Sequence, residues 1–304
     1  MSIAVLGPGG VGGLVAGALD RAGTDVVVVA RDSTAEVIAE RGLRVDSVML
    51  GEFLARPRAV ALLEGPVDAL IVATKASGLA LALERIGTEP TVVLPLLNGL
   101  DHMAVLRERF APESVLAGSI RVEADRPRPG VVVHTSPFLL IDMAAGDPSA
   151  LAGMEALEQA LTTAGLPVRV LDSQPRVMWS KLVRLNALAC TTSAYDKLLG
   201  EIRATPELRA DLEGAIEEAC AVGRAEGAQD VDPATAIAEL EMAHDTLGSS
   251  MQRDIAAGRT PELDAIPGSV LRAAARHGLE CPTIERLVGM IAARAGVPVP
   301  AIAR

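Results

Sequence analysis

The chain has 304 residues, half of them hydrophobic, with 28 basic against 39 acidic side chains and a formal net charge of −11. That length accommodates two domains with separate cores, and the acidic balance argues against a surface for duplex nucleic acid or an anionic membrane. One Trp, one Tyr and three Phe leave too few rings for base-stacking platforms, so the cores must be built from Ala, Val, Leu and Ile.

The apolar run Ile3-Ala4-Val5-Leu6 is followed at once by Gly7-Pro8-Gly9-Gly10-Val11-Gly12-Gly13, then by an Ala/Leu-rich segment from Leu14 to Ala22 closed by Gly23. Strand, glycines and helix occur in the order of a dinucleotide-binding βαβ unit. Gly7, Gly9 and Gly12 fit G-x-G-x-x-G. The first glycine permits the tight turn, the second lets a pyrophosphate approach the backbone, and the third lets the helix pack closely on the strand. Phosphate would sit on the N–H groups at the helix start, with Pro8, Gly10 and Val11 in the same cradle. No basic leader with an apolar core precedes the strand, and no apolar stretch is long enough to span a bilayer, so a cytoplasmic protein is expected.

Further apolar runs follow at Asp25-Ala30, Ala69-Thr74, Thr91-Leu97, Val115-Val122, Val131-His134 and Leu139-Met143, separated by helical patterns. Continuous rather than alternating runs predict strands buried on both faces of a largely parallel sheet. After Leu171-Asp172-Ser173-Gln174-Pro175 the strand signals stop. Helices are predicted over Glu207-Gly227 and over Pro233-Leu247, the latter behind Asp232 as cap with proline in the first turn. The expected fold is α/β: an N-terminal Rossmann-like doubly wound sheet over residues 1–172, then an all-helical domain over 173–304.

Three positions refine the nucleotide reading. The second strand ends in Arg31, where a guanidinium can pair with a 2′-phosphate, so NADP(H) is preferred, and the adjacent Asp32 leaves NAD(H) open. Lys75 and Asn98-Gly99 stand at the carboxyl ends of two predicted parallel strands, the edge at which open α/β sheets bind ligands. Cys190, Cys220 and Cys281 are far apart and read as small buried apolar side chains. The four histidines, His102, His134, His244 and His277, show no ligand spacing, and no metal is expected.

Taken together, these residues resemble the ketopantoate reductase (2-dehydropantoate 2-reductase) family over nearly the whole chain. The likeness rests on the glycine cluster, Lys75, Asn98-Gly99, the stretch from Ala124 to Gly130-Val-Val-Val-His134, Trp179-Ser180-Lys181-Leu182, Gly200-Glu201, Ser249-Ser250-Met251-Gln252-Arg253-Asp254, and Gly258-Arg259-Thr260-Pro261-Glu262-Leu263-Asp264. It implies NADPH-dependent reduction of a 2-oxo acid. Lys181 would be the catalytic lysine, Ser250 would bind the substrate carboxylate, and Glu262 would lie near cofactor and lysine. Arg31, Lys75, Asn98 and Ala124 would line the cofactor site, Asn98 serving substrate as well. An ammonium suits the chemistry, because hydride arriving at a ketone carbon leaves charge on oxygen that a positioned N–H can stabilise and protonate. Thr260-Pro261-Glu262 also reads as a helix start, and Ser250 as a cap or turn residue.

The likeness fails where the family's pattern places asparagines four and eight residues after the lysine, on one helix face. Here those positions hold Leu185 and Ala189, while Asn186 lies about 140° around the helix. Leu247 stands where the family often has an asparagine that contacts substrate, and Pro267 where an Asn-Gly pair is usual. Thr192 returns to the lysine's face. The reducing machinery is retained while the polar substrate shell is thinned, which removes much of the basis for preferring a hydroxylated substrate. The expected function is therefore NADPH-dependent reduction of a 2-oxo acid, 2-dehydropantoate or a related, bulkier or more apolar one, to the 2-hydroxy acid, with Lys181 as proton donor. Open alternatives are a non-catalytic NADPH-binding sensor and a related dehydrogenase acting on another small substrate. No nucleic-acid or membrane partner is expected, and a homodimer is left open.

Overall fold

The computed structural model describes residues 1–302, and the chain divides into two compact units: 1–97 with 102–177, and 98–101 with 178 onward. In the first unit the elements are β1 (Ser2–Leu6), α1 (Gly10–Arg21), β2 (Asp25–Val29), α2 (Asp32–Arg41), β3 (Leu43–Ser47), β4 (Gly51–Ala55), β5 (Arg58–Val60), β6 (Ala69–Val72) and α3 (Leu79–Leu83). They continue with β7 (Val92–Pro95), α4 (His102–Arg109), β8 (Ala117–Arg121), β9 (Ala124–Arg128), β10 (Val131–His134), β11 (Leu140–Ala144), α5 (Leu151–Thr163) and β12 (Val168–Val170).

The central sheet has the order β5-β2-β1-β6-β7 and is parallel throughout, with Ser2 opposite Asp25, Ile3 opposite Ala69, and Ala69 opposite Val92. Its Val/Ile/Leu runs are almost wholly buried, as strands covered on both faces must be. The runs at 115–122, 131–134 and 139–143 do contain strands, but these belong to two other sheets, ordered β4-β3-β10-β9 and β12-β11-β8. An apolar run reports burial, not which neighbour it pairs with, and both added sheets contain antiparallel pairs. α1 explains how the second sheet is held. A methyl on Gly13 would come 2.5 Å from Val132, and one on Gly17 would come 2.7 Å from Val45, so the helix lies against β10 and β3 through its glycines.

Two ionisable side chains are buried in these added sheets. Asp142 on β11 is wholly buried and takes both nitrogens of a forked Arg169 contact, at 2.8 and 3.0 Å. His134 on β10 is 1% exposed, with Nδ1 2.8 Å from Ser47 Oγ and Nε2 3.1 Å from Ser136 Oγ. The Ser136 hydroxyl donates to the Phe138 carbonyl at 2.7 Å, so Nε2 carries the proton and Nδ1 accepts from Ser47. Burial lowers the His134 pKa, matching a ring held neutral.

The second unit takes in all but the first few residues of α6 (Gln174–Tyr195). It continues through α7 (Leu199–Ala204), α8 (Pro206–Ala225), α9 (Pro233–Glu241), α10 (Ser250–Ala256), α11 (Ser269–Arg276) and α12 (Pro282–Ala295). Its core gathers Trp179, Leu182 and Val183 of α6 with Ile216 and Ala219 of α8 and Ile284, Leu287 and Ile291 of α12. α9 stops at Glu241 instead of running to Leu247, because Arg203 donates to the carbonyls of Leu240 and Glu241 at 2.7 Å and satisfies the helix end. Among the described residues no helix is long and apolar enough to cross a membrane.

Candidate functional site

In the first unit the glycines of the turn sit in different surroundings. Gly7 has φ +89°, a left-handed conformation that favours glycine. A methyl on Gly12 would overlap the Gly7 carbonyl, so α1 can sit against β1 only with glycine there. Gly9, in contrast, has nothing within 4 Å of where a side chain would begin. Open space over this residue, which caps α1, leaves the helix N-terminus accessible to an anion. A methyl on Gly10 would overlap the Ala124 carbonyl, which places the start of β9 directly beside Gly10. The Thr74 hydroxyl, whose methyl neighbours Gly7, is buried with no hydrogen-bond partner among the described residues. An open cradle with an orphaned hydroxyl beside it fits a bound nucleotide.

Arg31 is exposed directly after β2, and its carbonyl accepts from Thr34 and Ala35 to start α2. Asp32 does not stand alone: the Arg85 guanidinium, fixed by a 2.9 Å bond to the Ala61 carbonyl, lies 3.6 Å from its carboxylate. Lys75 is exposed at the start of a single 3-10 turn after β6.

The second unit brings together residues far apart in sequence. Trp179 and Leu182, 1% and 3% exposed, anchor the first turns of α6 in the core and leave Lys181 between them half-buried. Lys181 Nζ donates to Asn98 Oδ1 at 2.8 Å, and Asn98 Nδ2 donates to Glu262 Oε2 at 3.0 Å. Oxygen toward the ammonium and nitrogen toward the carboxylate is the one amide orientation that satisfies both neighbours. Glu262 does not open an α-helix. It lies on a bend ahead of a π-helical turn over Asp264–Gly268, and α11 begins only at Ser269. Pro267 explains the widened turn: it has no N–H to donate, and Gly268 bonds five residues back to Leu263 at 3.1 Å.

Ser250 is exposed at the first residue of α10, while the cap is its neighbour Ser249, whose Oγ accepts from Gln252 N at 3.0 Å. Thr192 Oγ1 lies 2.8 Å from Ser249 Oγ, tying α6 to that cap. Leu185 and Leu247 are half-buried and pack against the helical core, where Ala189 is fully buried. Asn186 is also fully buried; its Oδ1 accepts from the Cys190 thiol, and its Nδ2 has no partner among the described residues. Burial pushes all three thiols up, Cys220 to about 11, so none is a ready nucleophile. Among the described residues no cluster of three or more His, Cys, Asp or Glu side chains could hold a metal ion.

The residues missing from the sequence reading are Asp101 and Arg272. Arg272 donates to Asp101 Oδ2 from Nε and Nη2, at 3.1 and 2.6 Å, across 171 positions of chain that no local pattern links. Burial opposes its charge, but the carboxylates of Asp101 and Asp264 hold its pKa above the usual arginine value.

A parallel nucleotide-binding unit and a helical unit with a lysine–amide–carboxylate chain together define a dinucleotide-dependent oxidoreductase. The family model described as ketopantoate reductase PanE/ApbA matches residues 3–143, and its C-terminal counterpart matches 175–295. The chain belongs to the ketopantoate reductase family, whose cofactor is NADP(H). It is 31% identical over 306 residues to the 2-dehydropantoate 2-reductase of Mycobacterium tuberculosis H37Rv, covering 97% of this chain and 98% of that relative. The crystal structure of 2-dehydropantoate 2-reductase from Geobacter metallireducens GS-15 matches with a TM-score of 0.88 at 27% identity, covering 96% of this chain and 99% of that one. A ternary structure of D-mandelate dehydrogenase with NADH and anilino(oxo)acetate shares the fold, with a TM-score of 0.87 at 23% identity over 97% of this chain and 99% of that one.

Proposed function

We propose that the protein reduces a 2-oxo acid bearing an apolar side chain to the 2-hydroxy acid with NADPH, Lys181 giving the proton. The carrying observation is the unbroken chain Lys181–Asn98–Glu262, at 2.8 and 3.0 Å. It supports a lysine whose ammonium is oriented by a fixed amide, itself polarised by a carboxylate. Bound NADPH supplies the hydride. As charge develops on the substrate oxygen, Lys181 Nζ stabilises it and delivers the proton. The exposed hydroxyl of Ser250 would hold the substrate carboxylate. Arg31 and Lys75 would meet cofactor phosphates, and Arg85, by engaging Asp32, would lessen the repulsion a 2′-phosphate meets there. Leu185, Ala189 and Leu247 offer no hydrogen bond to a substrate hydroxyl, which favours an aliphatic or aryl side chain over the hydroxylated one of ketopantoate.

The test is NADPH oxidation over a panel of 2-oxo acids that includes ketopantoate, branched aliphatic acids and phenylglyoxylate. Lys181→Ala should lower kcat by about 10²–10⁴-fold on the best substrate while leaving NADPH affinity in place. An unchanged rate removes Lys181 from its role, and silence of the wild-type protein over the whole panel removes the substrate class.

A further inference from the structure

Asn98 is held at both ends of its amide, yet it stands on a four-residue segment, 98–101, that the second unit must hold in register for the lysine to find it. Two devices do so. Gly99, at φ +83°, lies so close to the Ala265 carbonyl that a side chain there would overlap it, which seats the segment on the π-helical turn. The other is Arg272. Besides its two bonds to Asp101, its Nη1 donates to Asp264 Oδ1 at 2.8 Å and to the Ala301 carbonyl at 3.2 Å, and its Nη2 donates to the Asp264 carbonyl at 2.8 Å. A guanidinium has five N–H groups, and all five are used.

The bonded partners have meaning by position. Asp101 follows Asn98 by three residues, and Asp264 follows Glu262 by two. One guanidinium therefore joins the backbone that carries the lysine's amide partner to the backbone that carries the amide's carboxylate. The π-helical turn between Glu262 and α11 leaves that second segment without a regular helical ladder, so its position depends on such outside bonds. A lysine could not replace the arginine, because three donors on one atom cannot span two carboxylates and two carbonyls in a fixed fork.

We propose that Arg272 is a positioning residue for the proton donor: by clamping Asp101 to Asp264 it fixes Asn98 and Glu262 with respect to each other, and through them the Lys181 ammonium. This rests on the assignment of Lys181 above. The five N–H groups of Arg272 go to Asp101, Asp264 and Ala301 and none to Lys181, Asn98 or Glu262, so its effect is transmitted through Asn98.

The experiment compares Arg272→Lys, Asp101→Asn, Asn98→Ala and the double variant Asn98→Ala/Arg272→Lys. Each is measured for kcat and KM on the best 2-oxo acid, for NADPH affinity by fluorescence titration, and for the rate at which Lys181 is acylated by N-hydroxysuccinimidyl acetate, followed by mass spectrometry. Arg272→Lys should lower kcat by about 10–100-fold with KM and NADPH affinity little changed, and Lys181 should acylate several-fold faster. Asp101→Asn, which weakens the clamp on one side only, should move both readouts the same way and serves if Arg272→Lys does not fold. In the double variant the arginine change should add nothing to the loss from Asn98→Ala, because both act through one amide. A wild-type kcat with an unchanged acylation rate in either clamp variant overturns the proposal, as does a full multiplicative penalty in the double variant. The acylation rate needs no turnover, so the clamp can be judged even if the assigned reaction fails.

Discussion

The glycine turn allows two adjacent roles to be separated by substituting the same residue, alanine, three positions apart. Gly9 has φ −75° and ψ −157°, backbone that any residue adopts, and no atom within 4 Å of a new methyl. Gly9→Ala should leave the fold intact, or stabilise it by about 0.4–1 kcal/mol by narrowing the unfolded ensemble. Its methyl would fill the space over the helix N-terminus, and NADPH should bind at least about tenfold more weakly, roughly 1.4 kcal/mol. Gly12→Ala reverses the balance. Its methyl would overlap the Gly7 carbonyl and stand 3.0 Å from Ala73 Cβ, where ordinary contact starts at 3.4 Å. α1 must then lift off β1 by ~1 Å, an overpacking cost of about 1–3 kcal/mol that better helix propensity offsets by at most about 1 kcal/mol. Circular dichroism should show melting lowered by about 2–8 °C for Gly12→Ala and not for Gly9→Ala, with NADPH affinity followed by fluorescence titration. Equal destabilisation by both, or wild-type NADPH binding by Gly9→Ala, would refute the division of roles.

Two further outcomes follow from buried and half-buried side chains. Restoring amides with Leu185→Asn and Leu247→Asn should shift the kcat/KM ratio toward hydroxylated 2-oxo acids by about tenfold or more; an unmoved ratio would mean that these positions do not face substrate. His134 is neutral in the fold with a lowered pKa, so as pH falls through about 6.5 the unfolded chain gains a proton that the folded chain does not. Its contribution is therefore intact above that pH and is lost in the acid region below it. Urea denaturation between pH 7.5 and 5 should show stability falling with acid, less steeply in His134→Gln; identical slopes would remove His134 as a cause.

What the sequence made legible was local. β1, α1 and β2 announce themselves because strand, glycines and helix are contiguous, and the parallel strands of the central sheet are uninterrupted Val/Ile/Leu runs. β9, with the sequence Ala-Asp-Arg-Pro-Arg, has no apolar pattern and tolerates Pro127 because it is the edge of its sheet. β3 alternates buried and exposed positions but spans only five residues, and its parallel partner β10 lies far along the chain. Lys181, Asn98 and Glu262 could each be picked out as chemistry-bearing residues. That they form one hydrogen-bonded chain could not, because the contacts span 83 and 164 positions and depend on how the 98–101 segment docks. No local motif singles out Arg272 or Asp101, whose direct contact spans 171 positions.

The central claim is hydride transfer from NADPH to a 2-oxo acid with protonation by Lys181, and isotopic transfer tests it most directly. With NADPH carrying deuterium at both positions of the nicotinamide C4, mass spectrometry of the product should find one deuterium on C2 of the 2-hydroxy acid. Lys181→Ala should slow its appearance without diverting the label. NADPH oxidation that leaves the acid unlabelled, or product formed at the same rate without Lys181, would contradict the account.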